Sequence, residues 1–309
     1  MPTAPESVVR IKLWGVRGSI PVPGPSTLRY GGNTSCVEVR ADGEIIVLDA
    51  GTGIRELGFS LEKEFGSEPI KLSLLITHVH WDHIQGFPFF VPSYNDKNEI
   101  QIFGYDGAGA GLHEILKGQM AVPFFPVALY DLPGKIDIRK LQTMEFDIGK
   151  VRVRSHFMNH PGVCAGYRLD TSAGSIAYLP DAESYDAFKL HSAKSDLLSP
   201  EQLQKRAKKE RADLVEFLAG CNILILDVQY TDDEYPSHIG WGHGSITTAV
   251  SLAIDAQVEK LVLFHHDPNH DDAILDEMVS RAQKIGSQKS KSLEIIGARE
   301  GDEFVLSPQ

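Results

Sequence analysis

A cluster of four side chains that can bind metal constrains this chain more than any other feature. His78, His80, Asp82 and His83 occur within six residues and directly follow the apolar run at 72–76, which is typical of a buried strand. Imidazole nitrogens and carboxylate oxygens are ligands that Zn²⁺ and related cations accept. Residues i and i+2 of an extended segment share a face, so His78 and His80 can hold one ion. After the chain turns, Asp82 and His83 face a neighbouring position, and the spacing therefore predicts two adjacent metal ions.

Further candidate ligands stand at the ends of other predicted strands. His160, Asp181 and the pair His265-His266 each follow an apolar or alternating run. Any one of them can be explained as a cap or a turn residue. Three such coincidences behind the first cluster favour ligand roles. His265 and His266 are adjacent and chemically equal, so the choice between them stays open here.

The cluster and the residues behind it resemble the metallo-β-lactamase superfamily, within it the ribonuclease Z and cyclic-phosphodiesterase branch, which includes phosphoribosyl cyclic phosphodiesterases. The resemblance spans nearly the whole chain. It implies an α/β (α+β) fold of two mixed sheets with outer helices, the four-layer αβ/βα sandwich. It also implies two divalent ions, Zn or Mn. The ligands of the first ion would be His78, His80 and His160, and those of the second Asp82, His83 and His265, with Asp181 between them.

Particular positions narrow the branch. A lactamase of the dizinc type normally carries Cys where this chain has Asp181, which speaks against an antibiotic hydrolase. Flavin-linked diiron relatives usually replace the second histidine by Glu, so His80 at this position argues against a redox iron protein. Thioesterases and lactonases share all seven ligands, so the ligands alone do not exclude these two classes of hydrolase. The segment at 240–249, Gly-Trp-Gly-His-Gly-Ser-Ile-Thr-Thr-Ala, resembles the phosphodiesterase branch's stretch whose histidine protonates the leaving group, which makes His243 the expected acid.

General chemistry also predicts roles for this segment, independently of the resemblance. Ser245 suits a helix N-cap, and apolar residues recur behind it at helical spacing. A helix N-terminus favours a nearby anion, and a histidine just before it can give a proton to a departing alkoxide. The segment therefore predicts His243 as general acid, with a loop-orienting role as the alternative. Ser245 is predicted to be a cap or a phosphate contact.

Two turn-rich segments near the N-terminus, at 15–21 and 30–36, resemble the part of this branch that borders the metal pocket. Arg17 can hold a phosphate by paired N–H donors or act as an ion-paired loop residue, and Asn33 is a further candidate for substrate binding. Asp49 ends the apolar run at 45–49 and resembles the branch's aspartate that orients a ligand histidine without touching metal.

Charge bears on the size of the substrate. The 309 residues include 30 Lys and Arg against 42 Asp and Glu, a formal net charge of −12. Proteins that hold long nucleic acids usually present a basic stripe, and the one dense basic run in the sequence lies at 205–211. This run is a solvated face, a substrate-facing lid or a partner surface. The negative net charge favours a small phosphodiester as partner and disfavours extended nucleic acid.

Apolar periodicity predicts one mixed α/β architecture. Strands are predicted at 9–14, 37–39, 45–48, 72–76, 100–103, 151–156, 165–169, 175–179, 223–226 and 261–264. Helices are predicted at 54–65, 111–117, 200–219, 246–256 and 273–285. Because the candidate ligands come from both halves of the chain, a single domain over 1–309 is predicted, with a helical insertion at about 184–220.

Three scattered cysteines without a paired framework predict a reducing, cytoplasmic setting. The first residues lack the apolar stretch of a signal peptide, and no association with membranes is expected. A homodimer is left open.

Together these features predict a dinuclear metal phosphodiesterase acting on a small or cyclic nucleotide-type phosphodiester. Asp82 would orient the attacking water, Asp181 would lie between the ions, and His243 would protonate the leaving oxygen. A ribonuclease Z-like nuclease and a thioesterase or lactonase are the catalytic alternatives. A non-enzymatic metal-binding sensor or interaction protein is disfavoured, because such a protein has no need of a complete dinuclear ligand set.

Overall fold

The computed structural model describes residues 8–107, 109–185, 198–290 and 292–308. The chain divides into two compact units. The first comprises residues 1–152, 171–173 and 299–309, and the second comprises 153–170 and 174–298. The single domain over 1–309 stays a prediction, and residues 186–197 of the predicted insertion lie outside the described ranges.

The first unit is built on a mixed seven-stranded sheet. Its strands are β1 (Val9–Gly15), β2 (Cys36–Ala41), β3 (Glu44–Leu48), β4 (Lys71–Leu75), β5 (Glu99–Gly104), β6 (Lys135–Lys140) and β14 (Glu303–Leu306). Their order across the sheet is β14-β1-β2-β3-β4-β5-β6. Pairing is antiparallel from β14 to β3 and parallel from β3 to β6.

Helices α1 (Ile54–Phe65), α2 (Trp81–Ile84) and α3 (Leu112–Gln119) and the short strand β7 (Glu145–Ile148) also belong to this unit. In α1, Ile54, Leu57 and Leu61 recur at helical spacing and are fully buried in the core. Burial of each such side chain stabilises the fold by roughly 1.5–3 kcal/mol. Because α1 connects the parallel strands β3 and β4, both strands end at the same edge of the sheet.

The second unit contains most of β8 (Val151–Phe157) and all of the remaining elements. These are strands β9 (Ala165–Thr171, whose last residue the first unit includes), β10 (Gly174–Leu179), β11 (Ile223–Asp227), β12 (Lys260–Phe264) and β13 (Glu294–Gly297), with helices α4 (Pro200–Leu218), α5 (Ile246–Asp255) and α6 (Asp272–Lys289). The strand order is β13-β12-β11-β10-β9-β8. Strands β10 to β13 are parallel, while the two-residue connection from β9 to β10 is that of an antiparallel hairpin.

Every predicted strand and helix is present, with α6 continuing to Lys289 beyond its predicted end. Strands β6, β7, β13 and β14 were not predicted. In β6 only Ile136 and Ile138 are apolar, and four of its six residues are exposed. β6 and β14 are the edges of their sheet. An edge strand of this kind buries little surface, so it needs little of the apolar pattern that reveals a central strand.

Helix α4 carries the basic run at 205–211. It begins with the predicted capping box between Ser199 and Gln202. Of the basic residues, Arg206, Lys209 and Arg211 pair with Glu210, Asp213 and Asp255, respectively. These ion pairs favour a solvated face for the run over the two other predicted alternatives, a substrate-facing lid and a partner surface. Within the described ranges no helix is both long and apolar enough to span a bilayer.

Candidate metal-binding and catalytic residues

The first cluster lies at the edge where β3 and β4 end. Leu48 and Leu75 are paired neighbours at the ends of these parallel strands, so Asp49 and the histidine cluster emerge side by side. His78 and His83 are buried, whereas His80 is exposed. Two neighbouring apolar strands therefore place polar side chains at one edge of the sheet.

Within this cluster the potential ligand atoms approach each other in pairs. His78 Nε2 lies 3.0 Å from His80 Nδ1, as the predicted shared face of residues i and i+2 requires. His83 Nε2 lies 3.2 Å from Asp82 Oδ2, and that carboxylate oxygen also accepts the Ser19 N–H at 2.7 Å. The predicted division of the motif into two pairs is therefore present in the structure, while the metal-binding roles stay predictions.

Asp49 contacts His83 through its carboxylate. Its fully buried carboxylate lies 2.8 Å from His83 Nδ1 and accepts the Thr77 backbone N–H at 2.8 Å. The backbone φ of Asp49 is +61°, a left-handed conformation that Asp tolerates better than most residues. A proton on Nδ1 leaves the lone pair of Nε2 available, and this is the form in which an imidazole binds a metal. The geometry supports the predicted orienting role.

In the second unit, three neighbouring parallel strands end at one edge with polar residues. Asp181 follows β10, Asp227 ends β11 and His265 follows β12. Asp227 is in register with Phe264, which immediately precedes His265. The carboxyl ends of parallel strands meet at one edge of a sheet, so residues far apart in sequence are brought together there.

Asp181 lies between two histidines. Its Oδ1 is 3.2 Å from His265 Nε2, and its Oδ2 is 3.6 Å from His160 Nε2. Each carboxylate oxygen thus faces a different imidazole. This arrangement suits the predicted role of a carboxylate shared by two ions.

The structure distinguishes His265 from His266. His265 faces Asp181, whereas His266 Nε2 lies 2.9 Å from the Ala298 carbonyl oxygen. His265 also has a φ of +58°, and such conformations in residues other than glycine concentrate at functional sites. His265 is the one of the two that faces the other candidate ligands, and its role as ligand stays a prediction.

His243 is paired with a buried carboxylate that sequence reasoning missed. Its Nδ1 lies 2.9 Å from Asp227 Oδ2, and its ring stacks on His265 with centroids 5.1 Å apart. Asp227 also accepts the backbone N–H groups of Ala182 and Gln229. Burial raises the pKa of Asp227, and the adjoining His243 opposes that rise. With Nδ1 engaged by Asp227, Nε2 is the ring nitrogen that can exchange a proton with a substrate.

A second buried carboxylate, Glu183, holds the loop before His243. Its Oε1 accepts the Gly240 N–H at 2.7 Å, and its Oε2 accepts the Gly242 N–H at 3.1 Å. The Gly242 carbonyl in turn accepts a hydrogen bond from His160 Nδ1 at 3.0 Å. Gly242 has a φ of +94°, and a Cβ there would lie 2.3 Å from that nitrogen, so the position requires glycine. Nothing in the sequence signals the role of Glu183.

The predicted substrate contacts in the first unit are hydrogen-bonded to other residues of that unit. Arg17 is fully buried, and its Nε donates to the Gly31 carbonyl at 2.8 Å. Asn33 donates from Nδ2 to Glu300 and accepts the Thr52 hydroxyl. Burial raises the pKa of Glu300, and the N–H donors of Asn33 oppose the rise. Substrate binding by Arg17 and Asn33 stays a prediction.

Ser245 is the N-cap residue of α5, as predicted. It is buried, its backbone N–H donates to the Thr248 hydroxyl, and the two hydroxyl oxygens are 3.2 Å apart. These contacts favour the cap over the phosphate contact among its two predicted roles.

The chain matches a known protein family over most of its length. Residues 45–266 match the family described as Beta-lactamase superfamily domain. The chain is 24% identical over 312 aligned positions to a ribonuclease Z of Thermoplasma acidophilum, covering 93% of this chain and 95% of that protein.

Solved structures show the same fold. The metallo-beta-lactamase fold protein YhfI from Bacillus subtilis superposes with a TM-score of 0.64 at 15% identity, covering 97% of this chain and 99% of that one. A diphosphatase from the PhnP family gives a TM-score of 0.64 at 17% identity, covering 97% and 100%. These likenesses confirm the predicted fold class, two mixed sheets with helices.

The histidine and aspartate clusters of both units suit divalent metal ions. His83 and His160 each have one ring nitrogen, Nδ1, that contacts a group outside these clusters. The partner is Asp49 for His83 and the Gly242 carbonyl for His160. Such a contact is usual for metal-binding histidines. The family match covers more than two thirds of the chain and includes every one of the predicted ligands. The chain belongs to the beta-lactamase superfamily, and it is a metal-dependent hydrolase of the metallo-β-lactamase fold.

Proposed function

We propose that the chain is a dinuclear metal phosphodiesterase that hydrolyses a small or cyclic nucleotide-type phosphodiester. The observation that carries this proposal is the pair formed by His243 and the buried carboxylate of Asp227, which lies beside His265 and Asp181. A phosphodiester expels an alkoxide, which is a poor leaving group unless it receives a proton. A histidine fixed beside metal-binding residues supplies that proton.

The proposal includes two divalent ions, zinc or manganese. Their ligands would be those that the resemblance to the superfamily implies: His78, His80, Asp82, His83, His160, Asp181 and His265. Only imidazole nitrogens and carboxylate oxygens take part, which fits either metal. When bound, such ions activate water and offset the negative charge that develops on phosphoryl oxygens.

Two aspartates have proposed roles besides holding metal. Asp82 would orient the attacking water, and the Ser19 N–H bonded to its Oδ2 would fix the direction of its carboxylate. Asp181 would lie between the two ions, because each of its oxygens faces a different histidine, His160 or His265.

His243 would act as the general acid. Its Nδ1–H donates to Asp227, and a second proton on Nε2 gives an imidazolium that this carboxylate stabilises. As the phosphorus–oxygen bond breaks, Nε2 passes its proton to the departing oxygen, and the neutral imidazole remains bonded to Asp227. The Glu183 contacts to Gly240 and Gly242 keep His243 in place during this transfer.

A ribonuclease Z-like nuclease is the second candidate. It is favoured by the similarity to a ribonuclease Z over nearly the whole chain. The net charge of −12 and the acidic partners of Arg206, Lys209 and Arg211 favour the small substrate instead, because long nucleic acids are held largely by basic surfaces. The cytoplasmic setting and the homodimer stay untested parts of this account.

The test is a substrate panel with purified, metal-loaded protein. It would contain bis-p-nitrophenyl phosphate, 2′,3′-cyclic adenosine monophosphate, a precursor tRNA, a lactone and a thioester at equal enzyme concentration. We expect the two small diesters to be turned over with the highest kcat/KM. Efficient trimming of the tRNA with inert small diesters would establish the ribonuclease. Turnover of the lactone or thioester alone would refute both nucleotide assignments.

A further inference from the structure

An exposed tryptophan stands two residues before the proposed acid. Trp241 is 60% exposed in the second unit, and Ile239, two residues earlier in the sequence, is 44% exposed. A large aromatic ring that leaves most of its surface in water gains little stability from burial. Exposed aromatic side chains on fixed loops often serve as contacts for ligands.

The backbone on both sides of Trp241 is held by one buried carboxylate. Glu183, which is 2% exposed, accepts the N–H of Gly240 through one oxygen and the N–H of Gly242 through the other. It also accepts the hydroxyl of Tyr235 at 3.2 Å. These three hydrogen bonds fix the loop, so a ligand that contacts the ring has little loop entropy to remove.

The indole is also supported from within its own loop. Its ring meets His238 edge to face with centroids 4.8 Å apart, and His238 stacks on Tyr230 at 4.3 Å. His238 Nδ1 is held 2.8 Å from the Glu234 carbonyl oxygen. Tyr230 in turn lies edge-on to His243 at 6.1 Å. A continuous series of rings therefore joins the exposed indole to the proposed acid.

The charge around this loop selects the kind of ligand. Asp232 and Asp233 are the charged residues next to Tyr230 and Thr231 in the sequence, and both pair with Arg281. Glu234 is engaged by His270. These acidic side chains do not attract a phosphate chain, whereas a neutral ring can stack without a charged partner. The chemistry of the loop matches a flat heteroaromatic group.

We propose that Trp241 is a stacking platform for the nucleobase of the substrate. This inference rests on the proposed function and extends it, because it requires the phosphodiester to carry a base. The base stacks on the indole while the phosphate of the same nucleotide occupies the metal site near His243. Stacking tolerates every base, since each has a π-face, so the platform selects nucleotides over base-free diesters and not one base over another.

The experiment compares Trp241→Ala and Trp241→Phe with the unmodified, metal-loaded protein. The substrates are 2′,3′-cyclic adenosine monophosphate and the base-free glycerol 1,2-cyclic phosphate. Trp241→Ala should lower kcat/KM for the nucleotide by about 5- to 100-fold, chiefly through KM. It should lower kcat/KM for the glycerol diester much less, and Trp241→Phe should recover most of the loss. Phe59→Ala, which removes a 44% exposed ring from α1, should leave both values unchanged.

Equal losses on the two diesters would overturn the platform, because Trp241 would then act only through the position of the loop. If neither diester is hydrolysed, the substrate panel above decides the proposed function, and equilibrium binding decides the inference separately. Adenosine monophosphate and ribose 5-phosphate would be titrated by calorimetry into wild type and Trp241→Ala. Tighter binding of adenosine monophosphate that disappears in the variant upholds the platform. Equal binding of the two compounds refutes it.

Discussion

Replacing Asp49 by Asn tests how the structure prepares His83 for metal. The carboxylate faces two N–H donors, His83 Nδ1 at 2.8 Å and the Thr77 backbone N–H at 2.8 Å. An amide has only one acceptor oxygen, so in either orientation its NH₂ group meets one of these donors. If the NH₂ group faces His83, Nδ1 must become the acceptor and the proton moves to Nε2. A protonated Nε2 has no lone pair for metal.

The magnitudes follow from these contacts. Loss of a carboxylate that orients a metal-binding histidine lowers metal affinity by about 10- to 100-fold. A buried donor left without its charged acceptor lowers the free energy of unfolding by about 1–3 kcal/mol. Asn adopts a positive φ about as readily as Asp, so the φ of +61° at this position adds no cost.

Metal affinity would be measured by titrating metal-free protein with Zn²⁺ against a competing chelator, and stability by urea denaturation of the metal-free form. Asp42→Asn is the matched control. Asp42 also has a positive φ, of 54°, and accepts a backbone N–H, that of Ser172, away from the histidine cluster. Wild-type zinc affinity in Asp49→Asn, or an equal loss in Asp42→Asn, would refute the role assigned to Asp49.

Three further substitutions test other parts of the account. His243→Ala should leave metal content intact and lower turnover of an alkyl phosphodiester by ~10²–10⁴-fold, with a smaller loss for bis-p-nitrophenyl phosphate; equal losses would indicate substrate positioning. Gly242→Ala should lower the urea midpoint of unfolding more than Gly301→Ala does. Both glycines have a positive φ, but of the two only Gly242 has a neighbour with which a Cβ would collide. Equal shifts of the two midpoints would contradict this reasoning. Asp271→Ala should lower the unfolding free energy by about 1 kcal/mol in urea denaturation, since Asp271 caps α6 through two backbone N–H groups; an unchanged midpoint would contradict the cap.

The residues that sequence reasoning identified share a local signal. The histidine cluster and Asp49 each end an apolar run, and such runs reveal central strands reliably. Asp227 ends a run of the same kind, at 223–227, and the same rule would have found it. Its function was hidden because its partner His243 lies 16 residues away in another loop. The resemblance to the superfamily names the acid but not the carboxylate that holds it.

Other features depend on tertiary structure alone. Glu183 looks like a surface residue in the sequence, yet it is buried because the loop at 240–242 folds over it and supplies N–H donors. The distinction between His265 and His266 depends on the left-handed backbone at His265, which strand alternation does not predict. Edge strands such as β6 escape detection because they bury too few apolar residues.

The most direct test of the central claim is a metal titration followed by diester hydrolysis. Metal-free protein would receive increasing equivalents of Zn²⁺ or Mn²⁺, and the rate of hydrolysis of bis-p-nitrophenyl phosphate would be recorded at each step. A dinuclear phosphodiesterase predicts that the rate rises and levels off at about two equivalents per chain, and that Asp181→Ala abolishes this rise. Full activity in the metal-free protein, or a plateau at a single equivalent, would contradict the claim.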